Sequence, residues 1–285
     1  GRVVEKYEPF FSRGWDYAAP EDRLLGRKAT LMYDPRGQVI RTVNPDASEQ
    51  RVVFGVPEDL ARPERYAPTP WETYTYDAND NAGRTHPDAG HAYRHHWNTP
   101  ASARVDALGR TLEAVERNRD PSATGQPLPP IAEYRTRSTY DIQGNLLTVT
   151  DALGRAAFRH TYDLAKRPLR VDSIDAGLRL TMVDALGNPV EQRDSKGAIR
   201  LHAYDVLNRP IRLWARDDGG GLLTLRERLD YGDGGDPDQP TAERAAERAV
   251  NRLGQIQRHH DEAGLLVFAA YDFKGNVLEK SRRVI

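Results

Sequence analysis

The amino-acid sequence predicts an all-β protein built from consecutive antiparallel β-hairpins. A short unit containing aspartate and glycine recurs along the chain, its copies are ten to twelve residues apart in the middle of the sequence, and apolar and polar residues alternate between copies. A step of that length accommodates one strand of about five or six residues and one tight turn, whereas a helix would not fit. We therefore expect one long repeat sheet, with a single short helix near residues 241–252.

The recurring unit is an aromatic or β-branched residue, an aspartate, two variable residues, a glycine or asparagine, and a polar residue. Residues 140–145, Tyr-Asp-Ile-Gln-Gly-Asn, show it in full. An aspartate carboxylate accepts hydrogen bonds from the backbone N–H groups that follow it, and glycine adopts the left-handed conformation that closes a tight turn. Each copy is therefore predicted to bend the chain between neighbouring strands. The residues predicted to form these structural repeat turns are Tyr33, Asp34, Gly37, Tyr76, Asp77, Asp106, Gly109, Tyr140, Asp141, Gly144, Asp151, Gly154, Tyr162, Asp163, Asp184, Gly187, Asp194, Gly197, Tyr204, Asp205, Asp261, Gly264, Tyr271, Asp272 and Gly275.

The segments between the turns have the period of two that is typical of half-buried strands, as in residues 169–172 and 211–216. Proline is tolerated at a first strand position, where its missing N–H does no harm, and this predicts strand starts at Pro168, Pro189 and Pro210. A tyrosine before the aspartate ends a strand. We expect the rings of successive hairpins to stack on one face of the sheet as an aromatic ladder.

The regularity of the repeats divides the chain into four predicted segments. Residues 1–68 form a less regular β segment with one repeat, which includes a long proline-broken surface connection over 56–70. Residues 69–236 form the repeat sheet, with an inserted loop at 118–133. A helical insertion covers 237–254, and repeat hairpins resume over 255–285. Both ends of the sequence interrupt this organisation, so we expect the chain to be cut from a longer one.

Strong helix formers within the insertion predict its helix. Thr241 is the expected N-cap, and Gly254 is expected to stop the helix. The apolar residues fall on one stripe, which we expect to pack against the sheet. The stripe consists of Ala242, Ala245, Ala246, Ala249, Val250 and Leu253.

Composition argues against several functional classes. The chain has 41 basic and 42 acidic side chains, so no overall positive field attracts nucleic acid. It has no cysteine, which rules out disulfides, thiol nucleophiles and thiolate metal ligands. No apolar run approaches the ~20 residues that span a bilayer.

Three local patterns suggest chemistry, but a plainer structural explanation accounts for each. His91, His95 and His96 include a metal-like spacing without a completing ligand. The glycine-rich loop at 217–221 lacks the Lys and Ser/Thr of a phosphate-binding loop. The acidic glycine-rich stretch that leads into the helix lacks the fixed spacing of an EF-hand, and its carboxylates suit a helix N-terminus. These carboxylates belong to Asp230, Asp233, Asp236 and Asp238.

The repeated aspartates are better explained by turn geometry than by acid–base chemistry, because eleven similar units carry them. A serine hydrolase elbow, Gly-x-Ser-x-Gly, is absent as well. We therefore predict no enzyme activity, no metal and no cofactor.

The units at this spacing resemble the YD (Rhs) repeats of polymorphic-toxin shells, over about residues 27–285. Residues 68–86 are similar to the B component of insecticidal toxin complexes. The resemblance implies a long β-sheet strip that spirals into a hollow shell and encloses a cytotoxic C-terminal polypeptide until delivery. It also implies a secreted protein whose partners are further YD repeats of the same shell, the enclosed toxin and a translocation-channel component. The family's self-cleaving protease has no counterpart before Ile285, so no catalytic residue is carried over.

A glycan- or receptor-binding repeat module of a cell-surface adhesin is the alternative. It would use exposed aromatic rings, for which Trp15, Trp71, Trp97 and Trp214 are the candidates alongside thirteen tyrosines. Aromatic residues buried in a regular ladder would leave this hypothesis without a site.

Overall fold

The structure is a computed structural model that describes residues 1–9, 14–16, 26–87, 95–120, 128–235 and 238–284. These residues contain nineteen strands and one short helix, which confirms the all-β prediction. The chain divides into two compact units. Unit 1 comprises Gly1–Tyr140 and Thr148–Arg155, and unit 2 comprises Asp141–Leu147 and Ala156–Ile285.

Unit 1 contains strands β1 to β8, and residues of β9 fall in both units. Their bounds are β1 Glu5–Tyr7, β2 Lys28–Tyr33, β3 Val39–Val43, β4 Glu49–Pro57, β5 Tyr66–Tyr76, β6 Ala101–Val105, β7 Thr111–Asn118, β8 Ala132–Tyr140 and β9 Leu146–Thr150.

Unit 2 contains ten further strands and the helix. Their bounds are β10 Ala156–Tyr162, β11 Pro168–Ser173, β12 Gly177–Val183, β13 Pro189–Asp194, β14 Ile199–Tyr204, β15 Pro210–Arg216, β16 Thr224–Tyr231, α1 Thr241–Ala249, β17 Ile256–Asp261, β18 Gly264–Tyr271 and β19 Val277–Arg283.

Each strand pairs antiparallel with the next strand in sequence, from β1 to β8 in unit 1 and from β10 to β19 in unit 2. The predicted succession of hairpins is therefore confirmed. Strands β11, β13 and β15 begin at Pro168, Pro189 and Pro210, as the proline argument predicts. Within the described ranges, no helix is long and apolar enough to cross a bilayer.

The sheet buries little of its surface. Strands in each unit contact mainly their neighbours in sequence, so most side chains on both faces are only half-buried. The tightest apolar cluster lies in unit 1, where Leu60 packs against Val53, Tyr74 and Tyr76. Hydrogen bonds and ion pairs must therefore stabilise much of this fold.

The helix forms where predicted, but its packing differs from the prediction. Pro240 rather than Thr241 is the N-cap, and no side chain caps the first turn. The alanine stripe is exposed, while Glu247 is buried. The Glu247 carboxylate accepts hydrogen bonds from Arg252 and Gln257, and Arg252 also donates to the carbonyl oxygen of Phe268. The helix is thus held to unit 2 by a buried ion pair instead of by alanines.

The connection between β4 and β5 is shorter than predicted. Strand β4 continues to Pro57, and β5 begins at Tyr66, so only residues 58–65 remain between them. Pro68 lies inside β5, opposite Gly55 and next to a register shift, where the irregular ladder tolerates a missing N–H. Of the predicted loop at 118–133, residues 121–127 lie outside the described residues.

Candidate functional site

The repeat turns share one backbone geometry. In the turn that begins at Asp141, the aspartate N–H donates to the carbonyl oxygen of Asn145 at 3.0 Å, and the Gly144 N–H donates to the carbonyl oxygen of Asp141 at 3.1 Å. Both bonds recur in nine described turns that begin with an aspartate, and they fix the chain reversal between neighbouring strands. These turns begin at Asp34, Asp106, Asp141, Asp151, Asp163, Asp184, Asp194, Asp205 and Asp272.

The aspartate carboxylate accepts hydrogen bonds from backbone N–H groups of its own turn. The Oδ1 atom of Asp151 accepts hydrogen bonds from the backbone N–H groups of Leu153 and Arg155, at 3.0 and 2.9 Å. Its Oδ2 atom accepts the Nε–H of Arg155 at 2.8 Å. Hydrogen bonds from the Arg155 side chain and backbone lower the pKa of Asp151. The carboxylate is therefore fully used by its own turn, an arrangement that fixes conformation and leaves little capacity for substrate.

The fourth position of the turn requires a left-handed backbone. Gly109 has φ +76° there, and a Cβ atom would meet nothing within 4 Å, so the backbone angle rather than lack of space favours glycine. Lys166 and Asn208 occupy the same position at φ +65° and +60°. Neither residue was among the predicted turn positions, although asparagine is one of the two residue types that the repeat pattern allows there.

A further turn of the same shape begins at Asn44. Its N–H donates to the carbonyl oxygen of Ser48 at 2.8 Å, and Ala47 occupies the left-handed position at φ +67°. The Asn44 side chain donates to the Ser48 hydroxyl in place of an aspartate contact. The repeat pattern does not reveal this turn, because its first residue is not aspartate and its fourth is neither glycine nor asparagine.

Two predicted turns have other shapes. Asp261 and Gly264 face each other across a tighter hairpin with two residues between them. Asp77 begins a long loop that reaches Pro100, and its Oδ1 atom accepts the backbone N–H of Asp80. Asp77 therefore does not close a tight hairpin, in contrast to the prediction.

The sequence predicted a ladder of stacked tyrosine rings, but the tyrosines instead donate hydrogen bonds from their hydroxyl groups to backbone carbonyl oxygens. We call each of these bonds a hydroxyl tie. Tyr204, the last residue of β14, donates its hydroxyl hydrogen to the carbonyl oxygen of Pro189, the first residue of β13, at 2.9 Å. A register shift in the ladder comes just before Tyr204. The same tie joins Tyr140 to Thr111, Tyr162 to Leu146, Tyr231 to Pro210 and Tyr271 to Ile256. Tyr33 makes a similar hydrogen bond to Val3, which lies just before β1.

Arginines at the fifth position of the turn contact the tyrosine ring of the next turn on the same side of the sheet. The Arg110 guanidinium lies 5.0 Å from the centroid of the Tyr140 ring. Arg209 lies 4.0 Å from the Tyr231 ring and makes two hydrogen bonds to Asp233. Sequence analysis missed Tyr231, because Gly-Asp rather than Asp follows it.

Replacing Tyr140 by phenylalanine should lower the free energy of unfolding of unit 1 by about 1 kcal/mol, because the carbonyl oxygen of Thr111 loses its donor. Urea denaturation followed by circular dichroism measures the change. Tyr134→Phe is the matched control, since Tyr134 lies on the same strand and is 48% exposed. Equal losses in the two variants would contradict the role of the hydroxyl tie.

The acidic stretch before the helix and the glycine-rich loop at 217–221 have hydrogen-bond partners within the protein. Asp233 accepts two hydrogen bonds from Arg209, and Asp230 accepts one from Arg228. Asp218 accepts the N–H groups of Gly220 and Gly221 within its own loop. His91 and Asp236 lie outside the described residues. In the part of the chain that is described, no group of three or more His, Asp or Glu side chains is arranged to hold a metal ion.

The tryptophans are distributed over the chain. Trp71 and Trp97 belong to unit 1, and Trp214 lies on β15 of unit 2. Trp15 is 97% exposed and Trp71 is 48% exposed.

Comparison with solved structures gives the same fold. The chain superposes on the crystal structure of TcdB2-TccC3-TEV with a TM-score of 0.75 and 24% identity, over 99% of this chain and 13% of that one. It superposes on the Tc holotoxin pore of Photorhabdus luminescens, with the mutation TccC3-D651A, with a TM-score of 0.76 and 23% identity, over 99% of this chain and 12% of that one.

Comparison with curated proteins agrees. The chain is 27% identical, over 184 residues, to toxin subunit YenC1 of Yersinia entomophaga. That alignment covers 60% of this chain and 17% of the subunit, so the chain spans about a sixth of the curated relative. The chain has the fold of these Tc toxin structures and is similar in sequence to a Tc toxin subunit. No family model matches the chain. In the turns described above, the tyrosine hydroxyl connects one strand end to the preceding strand start, and the aspartate closes the turn.

Proposed function

We propose that this chain is a non-enzymatic structural segment of a secreted toxin complex, and that its YD-repeat sheet forms part of a shell around a polypeptide cargo. The observation that carries the proposal is the agreement of fold with TcdB2-TccC3 over 99% of the chain. Other repeats of the same shell, the enclosed polypeptide and a channel-forming component of the complex are its proposed partners.

The hydrogen bonding of the repeats supports a structural role. Most repeat aspartates direct one oxygen to the backbone and the other to the fifth side chain of their own turn, as Asp141 does with Asn145. General acid–base chemistry requires one or two carboxylates in unusual surroundings, whereas these share one environment. The pKa values of Asp106, Asp184 and Asp272 are lowered, chiefly by hydrogen bonds from the residue at the fifth position of the turn.

Both faces of unit 2 are only half-buried. One face carries aromatic rings that stack along the strands, with centroids 6.0 Å apart for Phe158 and His160 and 6.5 Å apart for His202 and Tyr204. Cross-strand pairing places arginines on both faces, Arg179 and Arg200 beside the aromatic rings and a longer series opposite them, together with leucines and Trp214. A half-exposed aromatic face can contact an unfolded chain along its length without recognising one sequence, which suits a container wall.

Electron microscopy of the complete gene product tests the proposal. We expect hollow particles with density inside, and a protease should leave the internal polypeptide intact until the particle is opened by denaturant. Solid globular particles, or an internal polypeptide that is digested as fast as a denatured control, would contradict the proposed function.

A further inference from the structure

Two arginines of unit 2 lie directly opposite each other on neighbouring strands. Arg212 of β15 pairs with Arg228 of β16, on the face opposite the stacked aromatic rings, and both side chains are exposed. Like charges in directly opposite positions destabilise an antiparallel pair of strands. An anion bound between the two guanidinium groups removes this repulsion.

Unit 1 shows which chemical group occupies such a position. Among the described strands, one other pair of arginines is directly opposed, Arg41 of β3 and Arg51 of β4. Both arginines form an ion pair with the carboxylate of Glu49, which lies two residues before Arg51 on the same strand. Glu49 is 1% exposed. Within this protein, a carboxylate therefore bridges an opposed arginine pair.

The carboxylate nearest the pair in unit 2 is one methylene shorter. Asp230 lies two residues after Arg228 on β16, and its Oδ1 atom accepts the Nε–H of Arg228 at 2.9 Å. Arg212 makes no ion pair with any residue that the structure describes. The protein's own carboxylate thus serves one arginine of the pair and leaves the other to solvent.

Strand β17 adds positive charge beside the pair. Arg258 lies opposite Asp230 on the neighbouring strand and is exposed, and it too lacks an ion pair with the described residues. We name Arg212, Arg228 and Arg258 the arginine cluster. Against the carboxylate of Asp230, its guanidinium groups carry two excess positive charges.

Uncharged residues border the arginine cluster on the strands to either side. Ala203 of β14 lies opposite Arg212, and Leu265 and Val267 of β18 lie opposite the β17 residues of the same face. These side chains do not neutralise the cluster. Its positive charge is therefore available to an anionic partner.

We propose that the arginine cluster binds an acidic segment of a partner polypeptide, with one carboxylate held between Arg212 and Arg228 and a second one at Arg258. A guanidinium group donates two parallel hydrogen bonds to a carboxylate, so an opposed pair grips one carboxylate from both sides. Neighbouring strands lie about 5 Å apart, and alternate residues of an extended peptide are about 7 Å apart, so two carboxylates of one segment reach across the cluster.

A carboxylate fits the arginine cluster better than a phosphate does. Asp230 lies within the cluster, and it repels a phosphate dianion more strongly than it repels a singly charged carboxylate. The bridging of Arg41 and Arg51 by Glu49 also favours a carboxylate. The inference does not depend on whether the sheet encloses a cargo.

Calorimetric titration of the chain with a hexaglutamate peptide at low ionic strength tests the proposal. We expect saturable binding, and Arg212→Gln/Arg228→Gln should raise the Kd at least about tenfold. Arg179→Gln/Arg200→Gln is the matched control. It removes the same charge from exposed arginines of the other face, neither of which lies opposite another arginine, and should change the Kd less than about twofold.

Lengthening Asp230 tests the geometry without changing the charge. The added methylene in Asp230→Glu lets the carboxylate reach Arg212, as Glu49 reaches Arg41, so this variant should bind the peptide at least about fivefold more weakly. Its urea midpoint should rise, because the opposed arginines gain a bridge. Asp172→Glu is the control, since Asp172 lies on the same face of β11 but away from the cluster, and it should change neither quantity.

The far-ultraviolet circular dichroism spectrum should be the same in all variants, because the substituted arginines are exposed. A peptide that does not bind, equal losses in the two double variants, or unchanged affinity in Asp230→Glu would overturn the proposal. Titration with inorganic phosphate in the same buffer completes the test. If phosphate binds to the cluster and the peptide does not, the assignment to a carboxylate is wrong.

Discussion

Replacing Gly197 by alanine should lower the free energy of unfolding of unit 2 by about 3 kcal/mol or more. Gly197 has φ +87°, where an L side chain costs about 1–2 kcal/mol. A Cβ atom at this position would also lie 2.6 Å from the Cα and N atoms of Gly219. Because the obstructing atoms belong to the backbone, the loop between β15 and β16 would have to move, and overpacking of this kind costs about 1–3 kcal/mol more.

Gly254→Ala is the control for the backbone angle alone. Gly254 has φ +79°, and its added Cβ would meet nothing within 4 Å, so we expect a loss of about 1–2 kcal/mol. Urea denaturation of both variants, monitored by circular dichroism, gives the comparison. If Gly197→Ala lowers the free energy of unfolding no more than Gly254→Ala does, the close approach of Gly197 to the backbone of Gly219 does not require glycine at position 197.

The sequence was sufficient to predict the hairpins because local chemistry determines them. An aspartate followed three residues later by glycine specifies a turn almost regardless of its surroundings, and the ten-residue step leaves room for only one strand. The same locality limits the prediction. Lys166 and Ala47 occupy left-handed positions that their residue types do not favour, because the strands on either side impose the turn.

Contacts between distant residues could not be predicted in the same way. The tyrosine hydroxyl of Tyr204 reaches a strand start fifteen residues earlier, and this depends on a register shift that the hydrophobic pattern does not reveal. The helix shows the same limit. An alanine stripe becomes buried only if an apolar surface lies opposite it. The buried contact of α1 is instead polar, because Glu247 accepts hydrogen bonds from Arg252 and Gln257.

The loop that begins at Asp77 differs most from the sequence prediction, because its polar residues are buried. Asp80 is 5% exposed and Asn81 is 0% exposed. The Asn81 amide donates to the carbonyl oxygens of Glu49 and Asp77, and the Asp80 carboxylate accepts hydrogen bonds from Asp77 and Thr99. Asp80 thus joins the two ends of the loop between β5 and β6, and its protonation state should influence the stability of unit 1.

Unit 1 should become less stable as the pH rises from about 4 to about 6. Burial raises the pKa of Asp80 to about 6, and the nearby Asp77 carboxylate adds to this, while the hydrogen bonds from Asp77 and Thr99 oppose it. In the unfolded chain an aspartate has a pKa of about 3.9. Between these two pKa values the folded chain binds more protons than the unfolded chain, so stability falls with rising pH, by up to about 3 kcal/mol.

The repeat aspartates Asp34, Asp106 and Asp151 have the opposite dependence and a different pH window. Their pKa values are lowered, so the contribution of these three carboxylates to stability is complete above about pH 4 and is lost only at more acid pH. Urea denaturation at about pH 4.5 and about pH 6.5 therefore isolates Asp80 when the chain is compared with Asp80→Asn. In Asp80→Asn, the amide oxygen can still accept the hydrogen bond from the Thr99 N–H, whereas the amide NH2 group faces the Asp77 N–H and cannot accept from it. This loss is the same at both pH values, so the variant should lose most of the pH dependence. An unchanged pH dependence in Asp80→Asn would show that another group titrates in this window, and that the buried carboxylate is ionised throughout.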